Sequence, residues 1–131
     1  MKVAFCSSDG IYVNEHFGQT EKIYVYEISN DEASFIECRN VKKANPNIDH
    51  LDKIDEKIDQ ISDCRIVYFT QIGGPAAAKV IKNKIFPVKV GPDSLVETII
   101  KEMQRSFKKP PLWLKKLLYE SDKSNELESE K

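Results

Sequence analysis

The sequence predicts an α/β domain built on a mixed sheet, and three observations carry that expectation. Two alternating segments, Lys22 to Ile28 and Ala33 to Val41, are joined through Ser29-Asn30-Asp31-Glu32, a connection too short for a parallel crossover, so they form an antiparallel hairpin. Near Leu51 the apolar period changes from that of a strand to that of a helix. From there short apolar runs alternate with helical stretches, the pattern that places strands parallel to one another.

Each element has its own signal. Val3 to Cys6 is a short apolar run closed by Ser7, Ser8 and Asp9, and reads as a first, buried strand. Residues 7–20 follow as a polar, glycine-containing loop. The hairpin comes next, and then a helix on which Leu51, Ile54, Ile58 and Ile61 share a face, with Asp49 as its N-cap and Asp52, Asp55, Glu56 and Asp59 on the solvated side. Arg65 to Thr70 is a strand. Gly73-Gly74-Pro75 opens a helix reaching about Asn83, with Pro75 suited to its first turn. Phe86 to Val90 is a further strand, and Ser94-x-x-Glu97 forms a capping box for a helix carrying Leu95, Val96, Ile99, Ile100 and Met103. The expected order is therefore β-β-β-α-β-α-β-α. Residues 1–106 form the α/β domain. Lys108-Lys109-Pro110-Pro111 breaks the last helix, and 107–119 is an amphipathic extension whose apolar face is Leu112, Trp113, Leu117 and Leu118. Residues 120–131 are nearly all charged or polar and are expected to be disordered.

Composition narrows the function classes. The chain has 131 residues, 40% hydrophobic and 31% charged, enough for one buried core. Its net charge of −1 offers no global basic field to recruit nucleic acid or an anionic membrane. Three cysteines, Cys6, Cys38 and Cys64, are widely spaced, which argues against a disulfide framework and against a self-contained zinc or four-cysteine cluster site. The apolar run at Met1 to Phe5 is too short for a signal peptide, so the sequence predicts a cytoplasmic chain.

The chemistry-bearing residues gather in two places. The loop after the first strand carries Ser8-Asp9-Gly10 and Asn14-x-His16-Phe17-Gly18, at the strand end where open α/β sheets hold ligands. His16 is a candidate metal ligand, its second nitrogen orientable by Asp9 or Asn14, although pattern alone favours a histidine that braces the loop by hydrogen bonds. Phe17 and Gly18 read as packing and turn residues. Gly73-Gly74 precedes a helix N-terminus, where N–H groups and the helix dipole favour an anion, and the alternative is a tight turn with close helix–sheet packing. Cys6 ends the first strand beside the loop, either as a buried thiol or as a second ligand. Cys38, Cys64 and His50 read as structural or surface residues.

Taken together, the segments Met1 to Gly18, Asp63-Cys64, Gln71 to Ala77, Pro87 to Val90 and Pro110-Pro111-Leu112-Trp113-Leu114 resemble the NifX family, which belongs with NafY and the C-terminal part of NifB. The resemblance runs in order over residues 1–118. It implies a ribonuclease H-like fold of five mixed strands. It also implies non-catalytic binding of NifB cofactor, or a related iron–sulfur precursor of the nitrogenase iron–molybdenum cofactor, and exchange with the NifEN scaffold, with NifB as a further partner. By that resemblance His16 contacts the cluster, and Asn14, Ser8, Asp9, Gly73 and Gly74 line the site. The chain would act as a monomer or weak dimer. Its acidic tail is not part of the family pattern.

Two other readings compete. A ribonuclease H-like nuclease would need carboxylates converging on two divalent ions. Asp9 follows the first strand, and Glu27 and Glu37 are the nearby acids that could join it. A binding module for a small anion, or a protein adaptor outside nitrogen fixation, is the third.

Overall fold

The computed structural model describes residues 1–41 and 50–117, the side chains of residues 50–53 excepted. Among the described residues the elements run β1 (Lys2–Cys6), β2 (Tyr12–Val13), β3 (Lys22–Ile28), β4 (Ala33–Asn40), α1 (His50–Gln60), β5 (Ile66–Phe69), α2 (Gly74–Lys82), β6 (Phe86–Lys89), β7 (Ser94–Leu95) and α3 (Val96–Lys108), before a short helix over 112–117. Five strands form one sheet in the order β4-β3-β1-β5-β6. β3 is antiparallel to both β1 and β4, whereas β5 is parallel to β1 and to β6. This is the mixed sheet that the short hairpin turn and the later helical crossovers dictate.

β1 lies at the centre, which explains its unbroken apolar run: alternate side chains enter two different cores. Ala4 and Cys6 join Ile23, Val25, Val67 and Phe69 under α1 and α2, where Ile54, Ile58, Ile61, Ala76 and Val80 close the layer. Val3 and Phe5 join Ile28, Ile66 and Tyr68 under α3, closed by Val96, Ile99, Ile100 and Met103. The sheet is thus sandwiched between helices on both faces.

Three local features depart from the sequence expectations. The loop after β1 contains β2, which pairs antiparallel with β7 through Tyr12↔Leu95 and Val13↔Ser94. That pairing displaces the expected capping box. Ser94 is held in the small sheet, the N-cap of α3 is Leu95 without a side-chain cap, and the Val96 N–H donates to Ile11 O at 2.9 Å instead. The third lies in the extension, where a short helix over 112–117 turns Leu114 and Leu117 inward, at 1% and 9% exposure, and leaves Leu112 84% exposed. Leu114, not Leu112, completes the apolar face, because an inward pair must be three or four residues apart. Trp113 stacks on Phe86 with ring centroids 4.6 Å apart and planes 8° apart. The expectations placed on Asp49, on the side chains of His50, Leu51 and Asp52, on Leu118 and on 120–131 fall outside the described residues.

α2 ends in a Schellman arrangement, in which Lys84 N–H donates to Ile81 O (2.9 Å) and Ile85 N–H to Val80 O (3.1 Å). Lys84 takes the left-handed position at φ 62°. Among the described residues no helix is long and apolar enough to cross a membrane.

Candidate functional site

The first loop is built by its own polar side chains. Ser7, fully buried, accepts the Gly10 N–H at 2.9 Å through Oγ and donates to Asp9 Oδ1 at 3.1 Å. Asp9 Oδ1 in turn accepts the N–H groups of Ile11 (2.8 Å) and Tyr12 (3.0 Å), and these donors hold its carboxyl below the usual range. Ser8 and Asn14 form a clasp: the Ser8 N–H donates to Asn14 Oδ1 at 3.0 Å, and Asn14 Nδ2 donates to Ser8 Oγ at 3.0 Å. Three of the expected site residues are therefore brought together, but as the frame of the loop. Asp9 and Asn14 direct their hydrogen bonds to the backbone and to Ser8, so neither is the orienting partner expected for His16.

His16 stands exposed on a turn whose backbone is closed by Gln19 N–H (3.1 Å) and Thr20 N–H (2.9 Å) donating to the His16 carbonyl. Its neighbour Phe17 is fully buried and meets Phe69 edge-on at 6.4 Å. Two backbone hydrogen bonds, Phe17 N–H to Gln71 O (2.9 Å) and Thr70 N–H to Glu15 O (3.0 Å), bind this turn to the segment leaving β5. That segment leads directly into Gly73-Gly74 and α2.

Gly73 is the N-cap of α2, in extended conformation at φ −74° and ψ 151°, without a side-chain cap. A Cβ built on Gly73 or Gly74 would meet nothing within 4 Å. Close helix–sheet packing therefore does not explain these glycines. The space over them is open, beside a helix terminus whose first N–H groups lack intrahelical acceptors.

Lys57 is not among the residues expected from the sequence to be near the site, yet it is 2% exposed. Its Nζ donates to the carbonyls of Phe17 (2.8 Å) and Thr20 (3.2 Å) and lies 5.7 Å from the Phe17 ring centroid. Burial pulls its ammonium below the usual lysine range. A signal was available: Lys57 stands three residues after Ile54 and four before Ile61, on the apolar face of α1.

Cys6 lies in the core with no exposure, and burial pushes its thiol up to about 12, against the opposing pull of Lys57. Cys64 is also buried, with its thiol likewise up to about 12. Among the described residues no group of three or more His, Cys, Asp or Glu is placed to hold a metal ion. The carboxylates a nuclease would need do not converge. Asp9 follows the carboxyl end of β1, whereas Glu27 pairs with Lys2 at the opposite end and binds the N-terminal ammonium at 2.8 Å. Glu37 is engaged by Arg39 Nε at 2.7 Å.

The exposed imidazole of His16 can offer a lone pair, and the open N-terminus of α2 a set of N–H donors. Comparison with known proteins bears on the family of the chain. A family model described as "Dinitrogenase iron-molybdenum cofactor" matches residues 1–106. Protein NifX of Herbaspirillum seropedicae is 34% identical over 119 residues, covering 90% of this chain and 82% of that protein. Protein NifX of Sinorhizobium fredii is 30% identical over 124 residues, covering 90% and 78%. The crystal structure of PH0822 superposes with a TM-score of 0.61 at 24% identity, over 81% of this chain and 90% of that one, a likeness of fold.

Proposed function

The chain belongs to the NifX group of the dinitrogenase iron–molybdenum cofactor family, and from that premise we propose that it is a non-catalytic cytoplasmic carrier in the making of that cofactor. Its cargo is NifB cofactor or a related iron–sulfur precursor, held reversibly and exchanged with the NifEN scaffold, with NifB as the source. The strand order, with its antiparallel first half and parallel second half, supports the ribonuclease H-like assignment that the resemblance implies.

One observation carries the site assignment. The pair of backbone hydrogen bonds from residues 15–17 to 70–71 ties the turn that carries exposed His16 to the segment leading into Gly73-Gly74 and α2, and this supports reading the two as one site. A preassembled, sulfide-bridged anionic cluster brings its own coordination and needs few protein contacts. His16 would supply a metal bond, and the α2 N–H groups would meet the negative charge. Ser8, Asp9 and Asn14 act on the cargo by shaping the loop. Cys6 serves better as a core thiol than as a second ligand, because burial keeps it protonated.

The test is anaerobic mixing with extracted NifB cofactor, followed by gel filtration and iron analysis. The unaltered chain should emerge brown with iron bound. His16→Ala should weaken binding by at least about tenfold, about 1.4 kcal/mol, with thermal stability nearly unchanged. Normal binding by His16→Ala together with failure of Cys6→Ser would transfer the ligand role to the thiolate.

A further inference from the structure

A leucine or methionine at position 57 would complete the apolar stripe of Ile54, Ile58 and Ile61 without the desolvation that a buried ammonium suffers. The lysine is offset there by two charge-assisted hydrogen bonds, and both go to the turn that carries His16. We propose that Lys57 is the positioning residue of that turn, its ammonium gripping the carbonyls of Phe17 and Thr20 from beneath and so fixing where the His16 imidazole stands.

The geometry leaves the turn little freedom. Phe17 is held at both ends of its backbone, its N–H by Gln71 O and its C=O by Lys57 Nζ. Its ring is locked between Phe69 and the lysine. Thr20, at the other end, is held through its C=O by Lys57 and through Oγ1, which donates to Lys22 O at 2.6 Å. One residue before Phe17, the His16 carbonyl accepts both Gln19 and Thr20 N–H and closes the turn over residues 16–20. With its flanks fixed, the direction in which His16 leaves the backbone is set while its ring stays in solvent. A site with few contacts depends on such preorganisation, since nothing else orders the ligand before it binds.

This inference rests on the carrier reading only for what the imidazole does. Its first test therefore needs no cargo. In the unaltered chain the Gln19 and Thr20 amides should exchange slowly with solvent deuterium, although the turn is at the surface. In Lys57→Met they should exchange about tenfold faster than before, with the β1 and β5 amides changing less. Fast exchange in the unaltered chain overturns the proposal, even if Lys57→Met does not fold.

The second test is a cycle with extracted NifB cofactor. Lys57→Met should weaken binding about tenfold, and adding it to His16→Ala should cause no further loss, because Lys57 acts through His16. Losses that multiply would make Lys57 an independent or merely stabilising residue and overturn the proposal. If His16→Ala binds normally, the carrier reading fails at His16, and the exchange result alone upholds or overturns the clamp.

Discussion

Gly10 shows how tightly single residues are specified around the first loop. It sits at φ +76°, and a Cβ there would lie 2.7 Å from Cε1 of Tyr24. Gly10→Ala therefore combines a left-handed backbone with a collision against a ring on the neighbouring strand. It should lower stability by about 1–3 kcal/mol in denaturant unfolding, and a neutral result would mean that Tyr24 can swing away. The same loop marks what was legible in the sequence at this scale. Residue types and loop position single out His16, Ser8, Asp9 and Asn14 as candidates, because polar side chains clustered after a central strand are an unusual concentration. Their division of labour was not legible. Asp9 is taken up by Ile11 and Tyr12 and Asn14 by Ser8, and which donor a short side chain finds depends on a turn conformation that sequence spacing does not encode. Lys57 does not stand out in the sequence, because charged residues on a surface helix are ordinarily solvated. Its place in the apolar stripe was the signal, and the carbonyls it serves are 37 and 40 residues away in the chain.

Among the elements, those with a repeated period or a bounded apolar run are readable in the sequence, and the two-residue strands are not. β3 alternates over seven residues, and its bounds are those that the alternation predicts. β2 and β7 have two residues each and exist because they pair with one another, so no period could announce them. Edge strand β4 is tied to the turn after α1 by Arg39. Its Nη1 and Nη2 each donate to a different Asp63 oxygen at 2.7 Å, and Nη1 also reaches Gln60 O at 2.7 Å. The guanidinium, joined by Lys2, holds the Asp63 carboxyl well below the usual carboxylate range. A depressed carboxyl contributes its stability above the unfolded value, near 4, and loses it as pH falls toward the folded one. Because Asp63 is 39% exposed, solvent screening limits the contribution to about 1 kcal/mol. Asp63→Asn should thus cost about that much at pH 7 in urea unfolding, and the gap between variant and parent should narrow below about pH 4. A gap that stays constant down to pH 2 would assign the effect to packing instead of charge.

At the scale of the whole molecule, two cores are separated by one sheet, and the candidate site lies over the core closed by α1 and α2. The other core is completed from beyond the last helix of the domain. After Pro110-Pro111 the chain returns, Leu117 joins the α3 core, and Leu114 lines a cavity together with Tyr68, Val88, Ile99 and Met103. An extension bound this way belongs to the cooperative unit and does not hang from it. Leu114→Ala should then lower the stability of the entire domain by about 2–4 kcal/mol, since it empties a site that is 1% exposed. Trp113 is the single tryptophan of the chain and stacks on Phe86 at the sheet edge, so its emission reports the extension while far-UV circular dichroism reports the sheet and helices. In both parent and variant the two signals should melt at the same temperature, as one transition. Tryptophan emission that changes well before the circular dichroism would show the extension releasing first, leaving the sheet and its candidate site folded without it.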